Sequence, residues 1–135
     1  MINDFIVIDA TGAAIGRIAT YAAKQALYGK KVFVINCSDA VITGKQHAIL
    51  DVYKAKISRG GYAQKGPYIP RTIEKLMKRT IRGMLPWNIT RGREALKRIK
   101  CFSWAPEEYS KHEKIITFKK AKQPYITLSK LIDLI

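Results

Sequence analysis

The sequence has few acidic residues, histidines and cysteines, and each shortage excludes a class of protein. Ten Asp and Glu stand against 25 Lys and Arg in 135 residues, so the net charge is +15. The two cysteines, Cys37 and Cys101, are far apart in the sequence, and neither histidine, His47 or His112, has another ligand residue at a zinc-binding spacing. We therefore expect no metal site and two buried, reduced thiols.

Long apolar segments are also missing. No stretch approaches the ~18–20 apolar residues that a membrane-spanning helix needs, and the first residues, MINDFIVIDA, lack a cationic leader before an apolar run. Interfacial helices pair their cations with bulky apolar residues that enter the lipid, whereas the apolar stripes here are sized for a protein core. We expect a cytoplasmic protein with no membrane partner, folded as a single domain over residues 1–135.

The positive charge is concentrated in the middle of the chain. Residues 54–100 carry fourteen Lys and Arg against two Asp and Glu, while residues 1–53 and 101–135 are nearly neutral. The cations alternate with apolar residues, which predicts folded structure with a basic outer face rather than a disordered tail. Because crowded like charges repel, we expect an anionic partner to neutralise this region. A merely solvated charged face is the alternative.

The first forty residues predict a βαβ unit. FIVID (residues 5–9) and KVFVINC (31–37) are short β-branched runs that suit strands, and an amphipathic helix that stops at Gly29 separates them. Two strands linked in this way should be parallel. Alanines such as Ala22 and Ala23 form the inner stripe of the helix and let it lie close to the sheet.

Two basic helices are predicted in the central region. The first follows Pro70 and ends at Gly83 and Pro86, with an apolar face formed by Ile73, Leu76, Met77, Ile81 and Met84. Thr90 is expected to cap the second, whose inward face consists of Ala95, Leu96 and Ile99. Shorter patterns predict a helical face in residues 47–57, a loop at 59–70, strands at 100–104 and 115–118, and a terminal helix at 127–135. The apolar run at 40–44 is too brief for an assignment.

The stretch DATGAAIGR (residues 9–17) stands where a phosphate-binding turn would be, between a strand and a helix. Its glycines are spaced G-x-x-x-G, which does not match the dinucleotide pattern G-x-G-x-x-G. Gly12 more simply permits a tight turn and Gly16 a close helix–sheet approach, although free amides with Arg17 could hold an RNA phosphate. The TGK run around Gly44 lacks the rest of a phosphate-binding loop. A small nucleotide- or nucleic-acid-processing enzyme, with Asp9 as its base, remains the alternative function.

Folded RNA is the anionic partner that the basic helices suit best. A rigid array of cations matches fixed phosphate spacing, and Arg can hold two phosphate oxygens at once. Trp87, Tyr62 and Tyr68 lie beside the cations and could stack on unpaired bases. Partial burial in the core is the other explanation for these rings.

Four blocks of sequence carry a resemblance to a known family. IDATGAAIGRIA (residues 8–19), VINCSDAVITGK (34–45), RTIRGMLP (79–86) and TRGREALKRIKCF (90–102) occur in the same order as in the L-thirteen family of large-subunit ribosomal proteins, in its archaeal and eukaryotic branch. GPYIPR before the third block also fits. Cys37 stands where that family commonly has Ala, and the segment after Pro106 matches loosely.

The resemblance implies a three-layer α/β/α fold with a mostly parallel, four-stranded sheet. It also implies a structural protein that binds large-subunit ribosomal RNA and adjoins other ribosomal proteins, without enzymatic activity, cofactor or small-molecule substrate. The predicted structural turn residues are Gly12, Gly16, Gly44, Gly83 and Pro86. The predicted RNA-binding residues are Arg17, Lys45, Lys54, Lys56, Arg59, Lys65, Arg71, Lys75, Lys78, Arg79, Arg82, Trp87, Arg91, Arg93, Lys97, Arg98 and Lys100.

Overall fold

The computed structural model describes residues 5–59, 69–110 and 115–135, which contain two sheets, six α-helices and a short 3-10 helix (Cys37–Asp39). The strands are β1 (Phe5–Asp9), β2 (Lys31–Ile35), β3 (Val41–Thr43), β4 (Ile99–Cys101), β5 (Ile115–Thr117) and β6 (Tyr125–Thr127). The helices are α1 (Ile15–Leu27), α2 (Gln46–Ser58), α3 (Ile73–Arg82), α4 (Thr90–Lys97), α5 (Glu107–Ser110) and α6 (Leu128–Leu134).

The main sheet has the strand order β4-β2-β1-β5, and all of its neighbouring strands run parallel. β1, α1 and β2 form the expected βαβ unit, so the prediction of an α/β fold with a mostly parallel four-stranded sheet is confirmed. Side chains alternate between the two faces of the sheet. Ile8, Val32, Val34 and Ile99 point to the face that α1 covers, and all four are fully buried.

Helix α1 lies against this face through small side chains. Its buried residues are Ile15, Ile18, Ala19, Ala22, Ala23 and Ala26. Alanine adds little bulk, so the helix axis can approach both the sheet and the neighbouring helices closely. On its other sides α1 contacts α3 and α4. The helix that sequence periodicity predicted most clearly is therefore the central element of the core.

Aromatic rings cover the opposite face of the sheet. The rings of Phe33 and Tyr109 stack with centroids 4.4 Å apart, and Phe5 meets Phe33 edge-on at 5.7 Å. The ring of Phe102 also contacts that of Tyr109, with centroids 5.6 Å apart, and Tyr109 belongs to the short helix α5. The cluster buries Val7 and Ile35, which alternate with the residues that face α1. Within the described residues, α5 is the helix on this side, and it gives the fold its third layer.

The C-terminal residues complete both sheets. β5 pairs with β1 in the main sheet, and β6 pairs antiparallel with β3, so that Val41 faces Thr127. Thr127 then caps α6, because its hydroxyl accepts a hydrogen bond from the backbone N–H of Lys130. Leu128 and Leu131 of α6 are fully buried in the main core. The sequence predicted β5 and α6 but not β6, which is short and pairs with a distant segment.

Some local predictions differ from the structure. The second strand ends at Ile35 rather than residue 37, because Asn36 adopts a left-handed backbone with φ of 58°. Met84 lies beyond α3 and is 43% exposed, because the chain leaves the helical register after Arg82. Thr90 does not cap α4. It is the first helical residue, and Ile89 occupies the capping position without a side-chain hydrogen bond.

The two thiols are neighbours in space although they are distant in the sequence. Cys101 pairs with Val34 in the sheet, and the backbone N–H of Cys37 donates to the carbonyl of Phe102 at 3.0 Å. The neighbouring Cys101 thiol, together with burial, raises the pKa of Cys37, whose Sγ donates a hydrogen bond to the carbonyl of Val34 at 3.6 Å. Cys37 is buried as expected. The prediction of burial is wrong for Cys101, which is half-buried because β4 is an edge strand.

We predict that Ala22→Leu and Ala23→Leu each destabilise the protein by ~1–3 kcal/mol, because the added methylenes have no space between α1 and its neighbours. Ala22 is fully buried and Ala23 is 4% exposed. Urea denaturation of both variants measures the change. Lys24→Leu, on the exposed side of the same helix, is the matched control and should leave the midpoint nearly unchanged. Unaltered midpoints for the two alanine variants would contradict this account of the helix–sheet contact.

Candidate nucleic-acid interface

Helix α3 carries basic residues on one side and apolar residues on the other. Leu76, Met77 and Ile81 are buried, and they hold the helix against α1. The first turn contains Glu74, whose carboxylate accepts hydrogen bonds from its own backbone N–H and from the hydroxyl of Ser103, and these lower its pKa. Glu74 is thereby engaged by the segment after β4.

The cations of this helix border two different grooves. Lys75 and the half-buried Lys78 border a shallow groove of about 240 Å³ together with Lys100 of β4. Arg79 and Arg82 are exposed on the same outward face of α3, and Arg71 is exposed just before the helix begins. The outward positions that helical spacing predicted for the α3 cations are confirmed, apart from the partial burial of Lys78.

The second groove lies along the turn that follows α3. Arg79, Arg82, Trp87 and Ile89 line an open groove of about 720 Å³. The guanidinium of Arg82 lies 4.0 Å from the ring centroid of Trp87, which is a cation–π contact. Trp87 is 39% exposed, so its ring is outside the core. Arg82 occupies one face of that ring, and any base that stacked on Trp87 would use the other face or displace the arginine.

The turn between α3 and α4 depends on a glycine that the sequence analysis did not single out. A Cβ on Gly92 would overlap the backbone carbonyl of Pro86, so only glycine allows α4 to lie this close to the turn. The carbonyl of Pro86 also accepts a hydrogen bond from Ile89 N–H at 3.2 Å, and Leu85 is buried below. The GMLP turn (residues 83–86) is thus fixed relative to α4. In the sequence, the sign of this contact was Gly92 itself, a glycine inside a helical pattern.

Helix α4 presents three exposed cations, Arg91, Arg93 and Lys97. Its inward residues are Gly92 and Ala95, which are buried. Arg98, directly after the helix, behaves differently because it is half-buried and its Nη1 donates to the carbonyl of Ala26 at 3.0 Å. A cation at the C-terminal end of α1 is favourable for the helix dipole. Arg98 was expected to face outward, but its guanidinium forms a hydrogen bond within the protein, to Ala26.

Helix α2 supplies further cations beside α3. Lys54, Lys56 and Arg59 are exposed at its C-terminal end, and Lys45 is exposed at its start. A cleft of about 340 Å³ between α2 and α3 is lined by Lys56, Arg59 and Arg79 together with Tyr53. The ammonium of Lys56 lies 5.1 Å from the centre of the Tyr53 ring, and burial raises the pKa of that phenol.

Arg17 is separate from the other predicted cations. It is exposed in the first turn of α1 and lies beside Lys119, Lys120 and Lys122, in the segment after β5. Sequence analysis did not assign these three lysines to the site, although three cations within four residues were a visible signal. Lys65, Tyr62, Tyr68 and His112 lie outside the described residues.

The predicted turn glycines have different roles in the structure. Gly12 and Gly44 have positive φ values of 70° and 131°, as tight turns require. The reason proposed for Gly16 is wrong, because a Cβ there would meet no atom within 4 Å. Gly83 ends α3, but with an ordinary helical φ of −62°. Pro86 lies in the turn that follows.

The strand-to-helix turn of the proposed enzyme alternative is held together by Asp9. Its Oδ1 accepts hydrogen bonds from the backbone N–H and hydroxyl of Thr11, at 3.0 and 2.7 Å, and from Asn36 at 3.2 Å. Partial burial raises the pKa of Asp9, but these hydrogen bonds and the charge of Lys120 outweigh burial and leave the pKa below its ordinary value. A carboxylate of lowered pKa is a weak general base near neutral pH, and this one serves the turn.

Neither a metal cluster nor a spanning helix is found in the described segments. No three His, Cys, Asp or Glu side chains come together there as metal ligands. None of the helices of those segments is long and apolar enough to cross a bilayer.

Comparison with known proteins places these features in a family. A family model described as "Ribosomal protein L13" matches residues 3–108. The chain belongs to the ribosomal protein L13 family. Proteins named "Large ribosomal subunit protein uL13" are similar over nearly the whole chain. The one from Archaeoglobus fulgidus is 42% identical over 135 residues, which cover 96% of this chain and 86% of the relative.

Two further archaeal relatives have the same name. The protein of Methanosarcina barkeri is 40% identical over 129 residues, covering 95% of this chain and 91% of the relative. That of Methanopyrus kandleri is 38% identical over 138 residues, covering 97% and 86%. The resemblance noted in the four sequence blocks is therefore confirmed, in its archaeal branch. L13 proteins are structural proteins of the ribosome rather than enzymes, and no observation favours the enzyme alternative.

We predict opposite effects for alanine at two helical glycines. Gly92→Ala should destabilise the protein by at least ~1–3 kcal/mol, because its Cβ must displace the backbone of Pro86. Gly16→Ala, the matched control, should be neutral or stabilise by up to ~1 kcal/mol, because it has space and loses less backbone entropy on folding. Thermal and urea unfolding measure both. A Gly92→Ala protein as stable as Gly16→Ala would show that the turn and α4 are not in close contact.

We also predict that Asp9→Asn lowers the free energy of unfolding at neutral pH and makes it less dependent on pH in the acid range. The folded-state pKa of Asp9 lies below the ordinary value of 3.8, so its contribution is complete above that pH and is lost as the pH falls through the lowered value. Unfolding free energies measured from neutral pH down to acid should show a smaller loss for the variant. Asp133→Asn, in an exposed position on α6, is the control. Parallel pH profiles for wild type and Asp9→Asn would refute this role.

Proposed function

We propose that this chain is a structural protein of the large ribosomal subunit that holds ribosomal RNA on the basic surface formed by α2, α3, the GMLP turn and α4. The observation that carries the proposal is the arrangement of α3, which is anchored to α1 by Leu76, Met77 and Ile81 while its cations point outward. Membership of the L13 family supports the ribosomal role, since its relatives are named as large-subunit proteins.

Phosphate binding accounts for the charge on this surface. Residues 54–100 contain fourteen Lys and Arg but only two acidic residues. One of these, Glu74, already accepts a hydrogen bond from Ser103. Each phosphate that a Lys or Arg neutralises releases a counterion that was condensed on the RNA, which favours association at low salt. Arginines on a rigid helix need little reordering to form two hydrogen bonds to one phosphate. The surface is therefore suited to hold a folded RNA backbone without regard to base sequence.

The proposed contact residues are not equivalent. Arg71, Lys75, Arg79, Arg82, Arg91, Arg93 and Lys97 are exposed around α3 and α4, and Lys54, Lys56 and Arg59 extend the surface along α2. Lys45, Lys65, Lys78, Lys100 and Trp87 remain proposed contacts, whereas Arg98 is partly engaged by Ala26 and contributes less. Other large-subunit proteins are proposed as neighbours, and the cytoplasm as the location, because L13 proteins belong to the ribosome.

The salt dependence of RNA binding tests the proposal. Changing Lys78, Arg79 and Arg82 together to Gln should reduce the log–log salt slope for a transcript of archaeal large-subunit ribosomal RNA by ~2–3 units, if each side chain holds one phosphate. The fold should survive because Leu76, Met77 and Ile81 are untouched. Titrations at several salt concentrations, with circular dichroism to check folding, measure the slope.

A variant with the same charge change provides the control. Lys24 lies in the last turn of α1, Lys30 follows that helix and Lys31 begins β2, and none of the three is among the proposed contact residues. Replacing them with Gln should alter the slope less than the α3 variant does. If the α3 variant and wild type bound with the same slope, the basic face of α3 would not contact RNA and the proposal would fail.

A further inference from the structure

A second cationic pocket lies outside residues 54–100, next to the edge strand β5. Four of its eight lining residues are cations, namely Arg17 from the first turn of α1 and Lys119, Lys120 and Lys122 from the segment after β5. Its volume is about 290 Å³. Because β5 and β4 form opposite edges of the sheet, the pocket is on the other side of the molecule from the α4–β4 end of the basic surface.

The lysines of this pocket are held in place by the fold. Ala121, between Lys120 and Lys122, donates its backbone N–H to the carbonyl of Gly12 at 3.0 Å. A few residues later, the carbonyl of Pro124 accepts a hydrogen bond of 2.8 Å from Gly44 N–H. The segment is thus fixed at both ends, and its cations converge on one pocket rather than spreading over a loose loop.

The glycine at position 12 makes this arrangement possible. A Cβ there would lie 3.0 Å from Cγ of Lys120, so the lysine stem rests directly on the glycine turn. The ring of Tyr21 in α1 meets Phe118 edge-on at 5.7 Å, which positions the same segment from the other side. Two independent contacts therefore bring the lysines beside Arg17.

The charge of the pocket is not balanced from within. No carboxylate is among its lining residues. Asp9 interacts with the charge of Lys120, but its Oδ1 is engaged by Thr11 and Asn36 in the turn. Lys119 and Lys122 are exposed. An anion that entered the pocket would meet several cations at once.

The other lining residues indicate the kind of anion. They are Ala14, Thr43, Ala121 and Gln123, so the pocket has small and polar walls without any aromatic or large aliphatic side chain. Protein partners usually bind through such apolar anchors, which are missing here. A phosphate needs only cations and hydrogen-bond donors, which the lysines, Arg17, Thr43 and Gln123 supply.

We propose that this pocket binds the phosphate backbone of ribosomal RNA at a second place, separate from the surface around α3 and α4. The proposal rests on the RNA-binding function proposed above and extends it to Lys119, Lys120 and Lys122. With cations at two edges of one rigid sheet, the protein holds two stretches of RNA backbone at a fixed separation. The protein then sets the distance between two RNA segments, in addition to binding one of them at the surface around α3 and α4.

Salt titrations with two sets of variants test the second site. Lys119, Lys120 and Lys122 changed together to Gln should reduce the salt slope for the same ribosomal RNA transcript by ~2–3 units. Gln retains the Cβ and Cγ atoms of Lys120 that rest on Gly12. The double variant Lys119→Gln/Lys122→Gln leaves that contact intact and should reduce the slope by ~1–2 units. The Lys24/Lys30/Lys31 variant again serves as the matched control.

The result separates this proposal from the previous one. An unchanged slope for both pocket variants, with a reduced slope for the α3 variant, overturns the second site and leaves the main RNA surface in place. Unchanged slopes for the pocket and α3 variants overturn both. A combined pocket and α3 variant whose slope falls by the sum of the two losses supports two separate phosphate sites.

Lysine footprinting identifies the occupant directly. Acetic anhydride should modify Lys119, Lys120 and Lys122 in the free protein and much less in its complex with protein-free ribosomal RNA. Equal modification in both samples contradicts the proposal. Protection that appears only in assembled large subunits, and not with RNA alone, would also overturn it and would indicate an acidic protein neighbour.

Discussion

The close contact between the alanine side of α1 and the parallel sheet is the constraint on which the other parts of this molecule depend. Ala19, Ala22, Ala23 and Ala26 keep the helix near the strands, and the same helix supports α3 and α4. Every cation of α3 is positioned relative to this support. A bulkier α1 would move the sheet and the basic helices apart together, so the packing of small apolar residues determines where the positive charge is presented.

Strong local patterns were enough to predict much of the fold. β1, α1 and β2 follow directly from two β-branched runs and a helical stripe, and α3 follows from a regular apolar spacing. The βαβ pattern indicated that β1 and β2 are parallel, and the family resemblance added the four-stranded sheet, which the strand pairings confirm. The same periodicity predicted which side of α3 carries its cations, because a helix with one buried face must expose the other.

Features that depend on distant partners could not be read in this way. β6 has three residues and forms only because β3 lies opposite, and α5 is a single turn that places Tyr109 on Phe33. Position 92 requires glycine because the carbonyl of Pro86 lies against it, whereas position 16 has free space. No local sequence pattern reveals this difference. The pocket beside Arg17 joins residues that are about a hundred positions apart. Only the folded chain shows which of its many lysines converge.

The return of the C-terminal segment to the first strands affects how the protein behaves while it is being made. Synthesis delivers β1, β2 and the basic helices before β5, β6 and α6. Until those residues emerge, β1 and β3 have unpaired edges, and the places of Leu128 and Leu131 in the core are empty. Open strand edges promote association with other chains. The nascent protein therefore exposes its aggregation-prone edges and its positively charged helices during the same interval.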